Sequence, residues 1–225
     1  MIKMEIGFNI LYLLTIYLIV FLMFRKYRSQ KFINTPGSRS FLAAFLLLAI
    51  GDTGHVGFRL VAFARGGLET NESLVGLGAL ATAITVTIFY MLMAEVWSKQ
   101  AGKPRKLIYW TIIGLGLVRL GFMTLEGNQW NQVVPPHTFS LYRNAFLTAM
   151  GLLVILAFMR SGKKSGNRFL TRSGIAIICS FVFYIPVILF VQKVPMIGML
   201  MIPKTIVYVW LALIGVQRLF VSREL

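Results

Sequence analysis

Apolar residues fall into seven long blocks, and polar residues collect mostly between them. The blocks lie at about 6–24, 41–64, 74–97, 107–126, 139–159, 173–192 and 196–219. Each approaches the ~20 residues an α-helix needs to cross a bilayer. The connecting stretches are mostly short, so neighbouring helices should pack antiparallel. The pattern predicts an all-α fold: a polytopic membrane protein, one seven-transmembrane-helix bundle over residues 1–225.

Composition agrees and leaves no room for a soluble domain. Hydrophobic residues make up 57% of the chain and charged residues 13%, against ~25% charged in soluble domains. The one cysteine, Cys179, sits in an apolar block and cannot form an intrachain disulfide.

The net charge of +16 is concentrated in alternate loops. Arg25, Lys26, Arg28, Lys31 and Arg39 follow the first block. Lys99, Lys103, Arg105 and Lys106 follow the third, and Arg160, Lys163, Lys164, Arg168 and Arg172 the fifth. Arg218 and Arg223 close the chain. The other loops hold Glu69 and Glu72, then Glu126, then the turn Gln192-Lys193-Val194-Pro195. The positive-inside rule then places the N-terminus outside and the C-terminus in the cytoplasm. The basic loops should attract anionic lipid headgroups. Nucleic acid is not an expected partner, because no loop is large enough to form a binding domain. A short, nearly neutral start precedes the first block and positive charge follows it, so that block reads as an uncleaved helix, not a signal peptide. The expected location is the cell membrane, as a multi-pass protein of a bacterial plasma membrane. Asn71-Glu72-Ser73 fits a glycosylation sequon.

Against this apolar background, the stretch Gly51 to Arg59 stands out. Asp52, His55 and Arg59 are spaced i, i+3, i+7, which places them on one face of the second helix. A charge near the middle of a membrane helix costs ~2.5–3.5 kcal/mol on insertion scales. Such a stripe should face the protein interior. With the topology assigned, Arg119 in the fourth span, Tyr142-Arg143-Asn144 in the fifth, Tyr184 beside Pro186 in the sixth and Lys204 in the seventh fall in the same outer layer. Pro203 and Pro186 should break their helices there. The segment Gly127 to Thr138, with Asn128, Trp130 and His137, is a candidate lid over that layer. Gly51, Gly54 and Gly57 predict close packing of the second helix against another, with Thr82 and Thr85 suited to the opposing face.

Charge in this layer is unbalanced. Asp52 neutralises one cation and Glu126 sits at a helix end, which leaves Arg59, Arg119, Arg143 and Lys204 in excess. Arg119 and Arg143 have the alternative of snorkelling to the interface. If the cations converge, the missing partner is an anion, a phosphate-bearing lipid or small anionic ligand, to which guanidinium offers a planar fork. Asp52 and His55 add acid–base chemistry, with Asp52 orienting His55, so metal-independent lipid hydrolysis or group transfer is one reading. A proton-coupled transporter or heptahelical receptor for an anionic ligand is the other. Metal binding is disfavoured: only His55 and His137 are present, and the cysteine lies on another helix.

Three resemblances bear on these readings. Seven-helix hydrolases of the alkaline ceramidase and progestin/adiponectin receptor kind carry several membrane histidines, which this chain lacks. Gly51-Asp52 resembles the second span of lysoplasmalogenase-type membrane enzymes, without a matching second acidic motif. Seven spans, an exterior N-terminus, Tyr184-Ile185-Pro186 and Lys204 resemble microbial rhodopsins, which would imply a retinal Schiff base at Lys204. That family's aspartate four residues before the lysine is Leu200 here, and the third span has no mid-membrane acid. No cofactor is therefore expected.

Overall fold

The computed structural model describes residues 2–29, 33, 35–102 and 104–221, with side chains from Gly7 onward. Of the loop cations, Lys31, Lys103 and Arg223 lie outside the described residues. Seven long helices form: α1 Ile2–Tyr27, α2 Ser38–Ala64, α3 Glu72–Gln100, α4 Lys106–Met123, α5 His137–Ser165, α6 Arg168–Phe190 and α7 Met201–Leu219. All seven are long and apolar enough to cross a membrane. No strand occurs among the described residues. The chain is an all-helical, multi-pass membrane protein.

Consecutive helices pack side by side, and the ring closes where α1 meets α7. α3 also touches α5, and α2 touches α7, which brings α2 and α3 toward the centre. The outer surface is apolar. On α1, Leu11, Leu14, Leu18 and Phe21 recur along one stripe and are all exposed, a face that suits lipid. Inside, aromatic rings interlock: Phe45 meets Phe89 edge-on at 5.4 Å, and Phe89 meets Tyr208 at 5.5 Å. Such edge-to-face pairs add about 0.5–1.5 kcal/mol each beyond their burial.

The α2–α3 contact is the most extensive in the bundle, and small residues make it possible. A Cβ on Gly51 would overlap the Thr85 side chain, and one on Gly78 would come within 3.1 Å of the Gly54 carbonyl oxygen and the His55 Cα. Thr82 Oγ1 donates to the Gly51 carbonyl at 3.0 Å. Gly57 faces open space, so the glycine repeat serves packing only over its first two members. The consequence for the site is that Asp52 and His55 ride on a helix locked to α3.

Helix ends are closed by specific groups. Asn167 Oδ1 accepts from the backbone N–H groups of Phe169 and Leu170 and caps α6. The Asn71 side chain donates to the carbonyls of Ala62, Arg65 and Gly67 and closes α2. The sequon asparagine is thus engaged with backbone. Pro186 lies inside α6 but does not break it: the helix runs on through it to Phe190, contrary to the expectation. Pro203 does not break a helix. A 3-10 segment, Pro195–Leu200, leads into α7, and Pro203 falls in the first turn of α7. There its missing N–H is one the helix would leave unpaired anyway.

Candidate functional site

Asp52, His55, Arg59, Arg119, Arg143 and Lys204 fall into two clusters connected through Tyr184.

The first cluster centres on α2. Asp52, His55 and Arg59 are half-buried on one face. Asp52 Oδ2 accepts a 2.7 Å hydrogen bond from the Tyr12 hydroxyl of α1. Lys204 Nζ lies 3.9 Å from the Tyr184 ring centroid and 5.7 Å from that of Tyr208. The Lys204 charge acts on both Asp52 and His55, and the Arg59 charge acts on His55. The Tyr184 hydroxyl donates to Asn144 Oδ1 at 2.9 Å, and the Tyr90 and Tyr208 hydroxyls share a bond at 3.1 Å. His55 Nδ1 is buried with no hydrogen-bond partner among the described residues.

The second cluster holds the two arginines. Both are buried, Arg119 at 2% and Arg143 at 7% exposure, so neither head reaches open surface. Arg119 Nε donates to the Arg143 carbonyl at 2.7 Å, and its Nη1 donates to the Ala83 carbonyl at 2.8 Å and to the Thr87 hydroxyl. Arg143 Nη1 donates to Asn128 Oδ1 at 3.3 Å, and the guanidinium lies 4.5 Å from the Trp130 ring centroid. Tyr184 sits within the fields of both arginines and links the two clusters.

The segment between α4 and α5 is a packed plug. Asn128 is fully buried and donates to the carbonyls of Phe122 and Leu125. Trp130 Nε1 donates to the Met123 carbonyl at 2.9 Å. The Trp130 backbone carbonyl rests directly on Gly76 of α3, where any Cβ would collide with it. Asn128 and Trp130 therefore meet the site through Arg143. His137 opens α5 and is exposed, and Tyr142 is exposed with its ring against Phe122. Neither joins the clusters.

Every described partner of the two arginines is neutral or backbone. Among the described residues, none of Arg119, Arg143 and Lys204 forms an ion pair with a carboxylate; the Lys99–Glu95 pair, at 2.6 Å, lies at the opposite end of the bundle. No group of three or more His, Cys, Asp or Glu that could hold a metal occurs among the described residues.

Sequence reasoning missed Tyr12, Thr87, Tyr90 and Tyr208. Tyr208 carried a usable signal: it lies four residues after Lys204, hence on the same helix face. The other hydroxyls sit in apolar blocks with nothing to separate them from packing residues. Comparison with protein-family models, with curated proteins and with solved structures finds no match.

Proposed function

We propose that this membrane protein binds an anionic amphiphile, a lipid with a phosphate-bearing headgroup, at the Lys204–Arg119–Arg143 layer, entered from the exterior leaflet. The observation that carries the reading is the excess of positive charge on two buried arginines and a half-buried lysine. Two guanidiniums and an ammonium are linked through Tyr184, and their described partners are carbonyls, an amide, a hydroxyl and aromatic rings. Desolvating a cation costs several kcal/mol unless an anion offsets it. An oxyanion held by guanidinium and ammonium donors supplies that offset. His55, whose buried Nδ1 has no described hydrogen-bond partner and which feels the Lys204 charge, serves as a further ligand contact.

Binding takes precedence over catalysis in this proposal. The acid–base reading asks Asp52 to orient His55. Among the described residues, the hydrogen-bond partner of the Asp52 carboxylate is Tyr12.

The test is a titration of the purified chain, in neutral detergent, with dodecyl phosphate, followed by tryptophan fluorescence, since Trp130 rests on Arg143. Lys204→Gln removes a charge-assisted contact worth ~1.5–3 kcal/mol and should weaken binding about tenfold or more. Absence of saturable binding, or equal affinity in the variant, removes the reading.

A further inference from the structure

At the opposite, basic end of the bundle lies a wide-open surface cavity of about 410 Å³, lined by Gln100, Gly166, Asn167, Arg168, Phe169 and Arg218. Its residues come from the end of α3, the α5–α6 turn and the last turn of α7. The neutral polar groups in its wall are already used. Asn167 Nδ2 donates to Gln100 Oε1 at 3.0 Å, Asn167 Oδ1 caps α6, and Gln100 Nε2 donates to the Pro36 carbonyl. What remains is cationic. Arg168 and Arg218 stand on different helices, are exposed, and have no hydrogen-bond or ion-pair partner among the described residues. Arg168 is also the first residue of α6, where the helix dipole is positive and disfavours a cation. Glu95, the carboxylate described at this end, is occupied by Lys99 at 2.6 Å.

We propose that this cavity is a second, separate binding site for a phosphate ester, clamped between the Arg168 and Arg218 guanidiniums. Two planar forks from different helices suit the several oxygens of one phosphate. The residues stand where α6 begins and α7 ends, at the level of a bilayer's headgroups. A lipid phosphate and a soluble phosphate ester share this chemistry. The site is independent of the Lys204 layer, which lies at the other end of the same helices.

The experiment uses the full chain. Phosphatidylglycerol retained by the protein after extraction from mixed phosphatidylcholine–phosphatidylglycerol nanodiscs is measured by mass spectrometry, and glycerol phosphate binding in neutral detergent by saturation-transfer NMR. In a Lys204→Gln background, which silences the Lys204 layer, the chain should retain the anionic lipid or bind the soluble ester, and the source is read from which arm responds. Arg168→Gln with Arg218→Gln should lower the responding signal about tenfold or more. Arg105→Gln with Lys106→Gln removes equal charge at the same end but away from the cavity, and should lower it less than twofold. Equal losses in the two double variants would mean diffuse surface electrostatics and overturn the site, as would an unaltered signal in the cavity variant or no binding in either arm. All three proteins should keep the same thermal midpoint in neutral nanodiscs, because both arginines are exposed. Because the Lys204 layer is silenced in all three proteins, failure here and failure of that layer are distinguishable.

Discussion

Arg119→Met separates a structural arginine from a ligand-binding one. Counted naively, the substitution deletes three charge-assisted donor contacts worth ~1.5–3 kcal/mol each. The acceptors tell a different story. The carbonyls of Ala83 and Arg143 lie inside α3 and α5, where the helix ladder already supplies donors. The Thr87 hydroxyl donates to the Ala83 carbonyl at 2.6 Å with or without the arginine. No buried group is left orphaned when Arg119 goes. On the other side of the balance is a guanidinium at 2% exposure with no anionic partner among the described residues, a desolvation cost of several kcal/mol. The two nearly cancel. Methionine fills most of the volume, so its net effect should stay within about 1 kcal/mol of wild type or be stabilising. Arg119→Ala, which leaves a void, should cost about 2–5 kcal/mol by analogy with other large-to-small core changes. Unfolding in mixed micelles with increasing SDS, followed by tryptophan fluorescence, gives both numbers, and dodecyl phosphate binding gives the functional one. The expected pattern is a methionine variant that is stable and binds poorly. A methionine variant as unstable as the alanine one would make Arg119 a staple between α3, α4 and α5, and the uncompensated-charge argument would fail.

Other outcomes follow from individual contacts. Tyr12→Phe should couple to Asp52→Asn in a double-mutant cycle by about 0.6–1.7 kcal/mol, the range for hydrogen bonds inside membranes; additive effects would show that the Tyr12–Asp52 bond contributes nothing. Gly76→Val forces the Trp130 backbone off α3 and should cost about 1–3 kcal/mol, with acrylamide quenching of tryptophan rising. Unchanged quenching would mean the plug is not seated on Gly76. In a Cys179→Ala background, an impermeant maleimide should label His137→Cys in intact cells and Ser165→Cys only after lysis; the reverse would invert the topology.

The fold was legible because a bilayer allows few solutions. Runs of ~20 apolar residues have to be helices, since each backbone group needs a partner within its own segment. Boundaries were less visible. The run at 196–219 hides a 3-10 segment, because apolar composition does not distinguish helix types, and Pro203 fits a first turn as readily as a kink. Within the candidate site, charge was the readable signal. Asp52, His55, Arg119, Arg143 and Lys204 stand out because each is costly in an apolar run. Their partners were not readable. Nothing in the α1 sequence marks Tyr12 as the donor to Asp52, since that pairing depends on how α1 rotates against α2. Trp130 is conventionally an interfacial anchor; that it lies under Arg143 depends on the glycine at position 76 of a different helix.

In the proposed function, an anion completes the cations of the Asp52–Lys204 layer. Native mass spectrometry of the Arg168→Gln/Arg218→Gln protein, extracted gently from its expression membrane, tests it most directly, because the basic-end cavity is then silenced. That protein should carry a stoichiometric adduct with the mass of a phosphate-bearing amphiphile, lost when Lys204→Gln or Arg119→Met is added. A protein that carries no anionic adduct, or one whose adduct survives both substitutions, would contradict it.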